Sequence, residues 1–128
     1  MQVLIDTNIF LWLIAGDTRR LTPKAMRLVS KPESELYVSM ASIWEIALKI
    51  RAGKLKLPLG SAFLTHHLGE LGAALLPIKT EHVLELLSLP RIHNDPYDGL
   101  IVAQAAVEGM ALVSSDEQIH KYPVKIVW

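Results

Sequence analysis

The sequence contains no cysteine, which removes disulfide staples, thiolate zinc sites and a cysteine nucleophile at once. A reducing compartment fits that composition. Neither sign of charge is in excess, since 13 Lys and Arg face 13 Asp and Glu. No overall field draws the chain to a polyanion, so any contact with nucleic acid has to come from local clustering. No uninterrupted apolar run approaches the roughly 20 residues that span a bilayer. The first apolar segment follows Met1-Gln2 without a basic stretch and is broken by Asp6 and Asn8, so it does not read as a leader. The expectation is a soluble, cytoplasmic protein with no membrane association. Aromatic residues are sparse at 6%, and Phe10, Trp12, Trp44, Phe63 and Trp128 read as packing before they read as base-stacking platforms.

What is present is apolar mass. The 128 residues are 51% hydrophobic and 20% charged, with a mean hydropathy of +0.30. That length suits a single domain over residues 1–128 with a substantial core. No internal repeat, low-complexity segment or linker divides it. So apolar a composition in so small a chain points to surface covered by another chain, as in an oligomer or an obligate complex.

Short apolar runs alternate with helical stretches. Residues 2–5 read as a buried strand, and Asn8 to Ile14 as a brief helix ending near Gly16. Thr22-Pro23 sets an N-cap residue before Pro at the first helical position, predicting a helix to about Ser30. Leu36 to Val38 reads as a second strand, after which Ser39 or Ser42 caps a helix that stops at Gly53. Leu59 to Leu71 and Thr80 to Leu87 read as helices separated by a strand over Ala74 to Ile78. Asp95-Pro96 opens a helix to Glu108 with Gly109 at its end, and Ala111 to Ser114 and Val124 to Val127 read as strands. This alternation is the signature of an α/β fold, a parallel sheet covered on both faces. Ligands in such sheets bind beyond the carboxyl ends of the strands.

Four acids stand in apolar settings: Asp6 after Val3-Leu4-Ile5, Glu45 inside Ile43-Trp44-Glu45-Ile46, Asp98 before Leu100-Ile101-Val102, and Asp116 after Leu112-Val113. An isolated carboxylate in an apolar place costs several kcal/mol or shifts its pKa until it is neutral. Four that converge need a cation. Each also has a plain structural reading. Asp6 and Asp116 can cap the helical turns that follow them. Asp95-Pro96-Tyr97-Asp98 reads as N-cap, Pro at N1 and an acid at N3, where the helix dipole favours it. Glu45 and Lys49 form an i,i+4 pair of the favourable order. Residues 100–107, however, are apolar almost all round except Gln104, so the acidic first turn of that helix must face a cation or a polar cleft.

Carboxylate oxygens without Cys or a clustered His set favour Mg²⁺ or Mn²⁺ over zinc. Such ions keep water and accept phosphate oxygens, which points to phosphoryl chemistry. None of His66, His67, His82, His93 and His120 lies in an HExxH pattern, and adjacent His66-His67 are expected on different faces of their helix. No hydrolase elbow or P-loop is present.

Leu4-Ile5-Asp6-Thr7-Asn8, Ser42-Ile43-Trp44-Glu45-Ile46, His93-Asn94-Asp95-Pro96-Tyr97-Asp98 with Leu100 to Ala105, and Leu112-Val113-Ser114-Ser115-Asp116 resemble, in that order, the motifs of PIN domains, especially the VapC-type toxins of toxin–antitoxin pairs. The resemblance covers nearly the whole chain. It implies a three-layer α/β/α sandwich with a central parallel sheet of four to five strands, homodimerisation, a cognate antitoxin, and a Mg²⁺- or Mn²⁺-dependent ribonuclease site. It places Asp6, Glu45, Asp98 and Asp116 on the family's metal-binding catalytic acids. Thr7 and Ser115 match hydroxyl positions, Asn8 a polar position and Asp95 a recurrent acid. Asn94 and Gly99 stand where relatives often carry Arg, which removes positive charge near the cleft.

Lys49, Arg51, Lys54 and Lys56 form the densest basic segment. Cations at a helix C-terminus contribute roughly 0.3–1 kcal/mol each, which accounts for one or two; RNA phosphate contact is the expectation for the rest, together with Arg19 and Arg20. Phe10, Trp12, Trp44 and Leu48 are candidates for the groove of the antitoxin. Two other functions stay open: a PIN nuclease that processes RNA outside a toxin–antitoxin pair, and a non-catalytic α/β binding module. A receiver-like module or a haloacid-dehalogenase-type phosphatase would want a second acid beside the first strand, where Asn8 stands.

Overall fold

The structure is a computed structural model that describes residues 1–58 and 60–128. Five short strands form its centre: β1 (Gln2–Ile5), β2 (Glu35–Ser39), β3 (Ala74–Leu76), β4 (Ala111–Val113) and β5 (Ile126–Val127). They are parallel and lie in the order β3-β2-β1-β4-β5. The helices are α1 (Thr7–Ile14), α2 (Pro23–Ser30), α3 (Met40–Arg51), α4 (Phe63–Leu71), α5 (Thr80–Glu85) and α6 (Pro96–Glu108).

Side-chain alternation along β1 assigns the layers. Val3 and Ile5 enter one core with Ile9 and Phe10 of α1, Ala25 of α2 and Ile46 of α3. Leu4 enters the other with Ile101 and Val102 of α6, Leu112 and Ile119. All of these are fully buried, and each of the larger ones contributes about 1.5–3 kcal/mol relative to exposure. The result is the α/β/α sandwich that the sequence predicts.

The chain walks from β1 through β2 to β3, then returns through α6 to β4 on the other side of β1. Strand order therefore reverses between β1 and β4, the place where open α/β sheets hold their ligands. The Asp6 amide donates to the Val113 carbonyl at 3.0 Å, which locks the exits of these two strands side by side.

Capping chemistry sets most boundaries. Thr22 accepts from the Ala25 amide at 3.1 Å and opens α2 at Pro23. Ser39, not Ser42, caps α3 by accepting from the Ala41 amide at 2.9 Å. Other boundaries fall short of the sequence reading. β3 ends at Leu76 because Pro77 has no amide to continue the ladder. The helix expected from Leu59 begins instead as a tight turn at Gly60–Ala62, and α4 proper starts at Phe63. Gly60 has φ +55, outside the helical region, and Leu59 itself lies outside the described residues. α5 ends at Glu85, and β5 is confined to Ile126–Val127.

Gln104, the one polar side chain in the apolar run of α6, has every bond it needs. Its amide donates to the Pro77 carbonyl at 3.1 Å, and its carbonyl accepts from the Ser39 hydroxyl. Beside it His82 is fully buried. The Lys79 amide donates to His82 Nδ1 at 3.0 Å, leaving Nε2 to donate to Glu108 at 2.7 Å. This network ties the ends of β2 and β3 and helix α5 to α6. Among the described residues no helix is long and apolar enough to cross a membrane.

Candidate active site

Asp6 leaves β1 and caps α1. Its Oδ1 accepts from the Thr7 amide at 2.7 Å and its Oδ2 from the Ser114 hydroxyl at 2.7 Å. Capping and site roles thus coincide, and the buried carboxylate has one fixed orientation. Ser114 also accepts from the Asp116 amide at 3.1 Å, so one hydroxyl joins the acids of β1 and β4. Asp116 Oδ1 accepts from the Gln118 amide at 2.7 Å, the expected cap, which leaves Oδ2 free to turn inward.

Asp95 caps α6 by accepting from the amides of Tyr97 and Asp98 at 2.9 and 3.1 Å. Asp98, one turn inside, has a side chain only 13% exposed. Its carboxyl is pushed up to about 8, first by burial and then by the charges of Asp6, Asp95, Asp116 and Glu45. A first-turn position ordinarily favours the ionised acid; burial and four neighbouring acids outweigh it. Burial likewise raises Asp6, against the bonds from Ser114 and Thr7 and with help from Glu45 and Asp116.

Glu45 comes from α3. Its Oε2 pairs with Lys49 at 3.0 Å, as the i,i+4 reading expects, but its side chain is 13% exposed. Its Oε1 is buried without any partner. An orphaned buried carboxylate oxygen costs on the order of 1–3 kcal/mol or more unless a ligand meets it. Thr7, at the head of α1, donates to Ser42 at 2.8 Å, which binds α1 to α3 beneath the cleft.

The cleft, about 160 Å³, therefore brings together Asp6, Glu45, Asp95, Asp98 and Asp116, with Thr7 and Asn8 at its wall. Lys49 and His93 are the basic side chains on its lining. An adjoining concavity of about 400 Å³, which shares His93 and Asp95, and an apolar groove of about 670 Å³ are larger, but the acids converge here. Oxygen donors in excess of cationic partners, one of them unpartnered, fit Mg²⁺ or Mn²⁺.

Other expected residues lie apart. Ser115 is half-buried and does not line the cleft; the serine bonded to Asp6 is Ser114, fully buried behind it. Of the basic segment, Lys49 reaches the cleft; Lys56 lines the apolar groove with Leu11, Trp12 and Leu57. Arg51, the last residue of α3, and Lys54 beyond it are exposed. Arg20 pairs with Asp17 at 2.7 Å and lies over the Trp12 ring. Phe10 is fully buried and cannot line a groove, whereas Trp44 is 46% exposed and meets Tyr97 edge-on at 4.7 Å. His66 and His67 do not diverge: both reach Glu70 Oε1 at 2.9 Å, because positions i+3 and i+4 lie over the same face. Asn94 and Gly99 border a second concavity with Arg91.

Sequence reasoning missed two contributors. Ser114 could not be told from Ser115 by type, only by the pleat at the end of β4. His93, half-buried in the loop before α6, stands 2.9 Å from Asp98 and 3.7 Å from Asp116; its signal was its place at the head of the block His93-Asn94-Asp95-Pro96-Tyr97-Asp98, to which no role was given.

Fold and cleft define a doubly wound α/β protein whose acids meet at the switch point of its sheet. The PIN domain family model matches residues 3–125, and the chain belongs to the PIN domain family, whose members are generally nucleases. No curated protein matches it by sequence. Among solved structures it is similar to VapBC2 from Rickettsia felis bound to a promoter DNA fragment, with 14% identity over 98% of this chain and 97% of that one and a TM-score of 0.67. DNA-bound VapBC from Salmonella typhimurium gives 17% identity, 98% and 96% coverage and a TM-score of 0.66. FitAcB from Neisseria gonorrhoeae gives 16% identity, 97% and 95% coverage and a TM-score of 0.58.

Proposed function

We propose that this chain is a Mg²⁺- or Mn²⁺-dependent endoribonuclease, the toxin of a cytoplasmic toxin–antitoxin pair. The observation that carries the reading is the convergence of Asp6, Glu45, Asp98 and Asp116 from four separate elements, with Glu45 Oε1 buried and unpartnered. Its fold neighbours, VapBC and FitAcB, support the toxin–antitoxin context.

Those four carboxylates would hold the ion, which when bound supplies Lewis-acid stabilisation and a more acidic water. Asp6, fixed by Thr7 and Ser114, presents its oxygens in one orientation and cannot rotate away. Asp98, whose carboxyl is pushed up to about 8, would give up its proton to hold the ion. Glu45 lends its free oxygen while Lys49 holds the other. Asn8, exposed at the rim, is placed to donate to a phosphate oxygen. No side-chain nucleophile is required; water attacks phosphorus, leaving 5′-phosphate and 3′-hydroxyl ends. Lys49, Arg51, Lys54 and Lys56, with Arg91 at the adjoining concavity, are the cations proposed to meet RNA phosphates.

The antitoxin is proposed to occupy the apolar groove of Leu11, Trp12, Ile14, Leu55 and Leu57. Exposed Val83, Leu84, Leu86 and Leu87, the last 85% exposed, form a separate apolar surface suited to a second copy. The test is RNA cleavage by the parent, Asp6→Asn and Asp98→Asn in Mg²⁺, Mn²⁺ and EDTA. Loss in both variants and on chelation supports the reading; equal activity in all three proteins overturns it and leaves a binding module.

A further inference from the structure

His93 is built into the acid cleft. Its backbone amide donates to the Tyr122 hydroxyl at 3.1 Å, and Tyr122 is a core residue packed with Leu112 and Ile119. The loop before α6 is therefore anchored at this residue. From that anchor the imidazole Nε2 reaches 2.9 Å from Asp98 Oδ2 on α6 and 3.7 Å from Asp116 Oδ2 beyond β4. His93, Asp98 and Asp116 each present a ligand atom, and the three atoms lie within 4.8 Å of one another.

A hydrogen bond to Asp98 explains the shorter distance and nothing more. It does not explain why one nitrogen sits between two acids from different elements. Adjacent ligands of a six-coordinate ion with bonds of about 2.1 Å lie about 3 Å apart, so Nε2 and Asp98 Oδ2 already have the separation that one shared ion requires. A purely oxygen site suits Mg²⁺, whereas imidazole adds affinity for first-row transition ions.

We propose that His93 Nε2 is a direct ligand of the ion held by Asp98 and Asp116, and that this nitrogen biases the cleft toward Mn²⁺ over Mg²⁺. The inference rests on the reading of the cleft as a divalent-cation site. A metal at Nε2 takes that nitrogen's lone pair, so the imidazole proton would then sit on Nδ1.

The experiment uses the full chain and His93→Gln and His93→Ala variants, whose backbone bond to Tyr122 any non-proline residue can make. Mn²⁺ and Mg²⁺ affinities are measured by calorimetry, and pulsed electron paramagnetic resonance of bound Mn²⁺ detects directly coordinated nitrogen. The parent is expected to show nitrogen coupling that both variants lose. Mn²⁺ binding should weaken about tenfold or more, with Mg²⁺ binding changed less than about threefold. Mn²⁺ bound to the parent without nitrogen coupling overturns the inference and leaves the nuclease reading intact. So does an equal weakening of both ions, which marks His93 as a positioning residue. A parent that binds neither ion overturns both.

Discussion

The two ends of α6 each bury a polar cluster, and they differ in one respect. At the C-terminal half every group is answered: Gln104 bonds Ser39 and Pro77, and His82 bonds Lys79 and Glu108. At the N-terminal turn the acids outnumber their partners, Lys49 being the one lysine or arginine on the cleft lining. Asp98 is pushed up to about 8 among four other acids, and Glu45 Oε1 has no partner. Fully satisfied buried networks fix a structure; an unsatisfied one of like charge is stable only with protons or a ligand. The same helix thus carries a structural cluster and a functional one, told apart by hydrogen-bond accounting.

Substitutions at the two ends should therefore fail in different ways. The largest effect is expected from Asp98→Asn, which should lower kcat/KM for RNA by about 100-fold or more while leaving the cation-free protein folded. Above pH 8 that variant should be more stable than the parent, since it removes a charge from a crowded site. Thermal unfolding without cation checks it, and a destabilised Asp98→Asn protein would erase the contrast. Gln104→Leu should do the reverse. It strands the Ser39 hydroxyl and the Pro77 carbonyl, costing about 1–3 kcal/mol each where no water reaches them, with kcat/KM changed little at a temperature where the variant is folded.

A smaller effect is expected from pH. The folded pKa of Asp98 lies above its ordinary value of 3.8, so the folded state binds the extra proton. The corresponding stability is fully present below about pH 4 and is lost as pH rises through about 8. Cation-free protein should lose Tm across that window, and millimolar Mn²⁺ should restore it; a flat Tm from pH 6 to 9 would count against the assigned shift. Ser114→Ala should cost about 10-fold in cation affinity by freeing Asp6, measurable by calorimetry. The smallest effect is expected from Lys54→Ala with Lys56→Ala: stability within about 0.5 kcal/mol of the parent, and a shallower salt dependence of RNA binding.

The parts of the fold legible in the sequence were those decided by local chemistry. Thr22-Pro23, Asp95-Pro96 and Gly109 mark helix ends because capping involves neighbours in sequence, and the structure places α2 and α6 between them. The unbroken apolar run Val3-Leu4-Ile5 announced a buried strand, and the structure puts core on both of its faces. The end of β3 was readable from Pro77 but was placed two residues late. Convergence of four acids was visible only as a coincidence of settings, resolved by their resemblance to an ordered motif set. What could not be read was tertiary: that Ser114 and not Ser115 bridges Asp6 to Asp116, that the Phe10 ring is fully buried, and that His93 lies between Asp98 and Asp116. His66 and His67 were misjudged because a shared partner one turn away, Glu70, was left out of the reasoning.

The most direct test is a crystal of the chain grown with millimolar Mn²⁺ and measured for anomalous scattering. A peak inside the cleft, within coordination reach of Glu45 Oε1 and of oxygens from Asp6, Asp98 and Asp116, is the expected result. A cleft with no peak, or ions bound only at other surfaces while the acids keep their present arrangement, would contradict it.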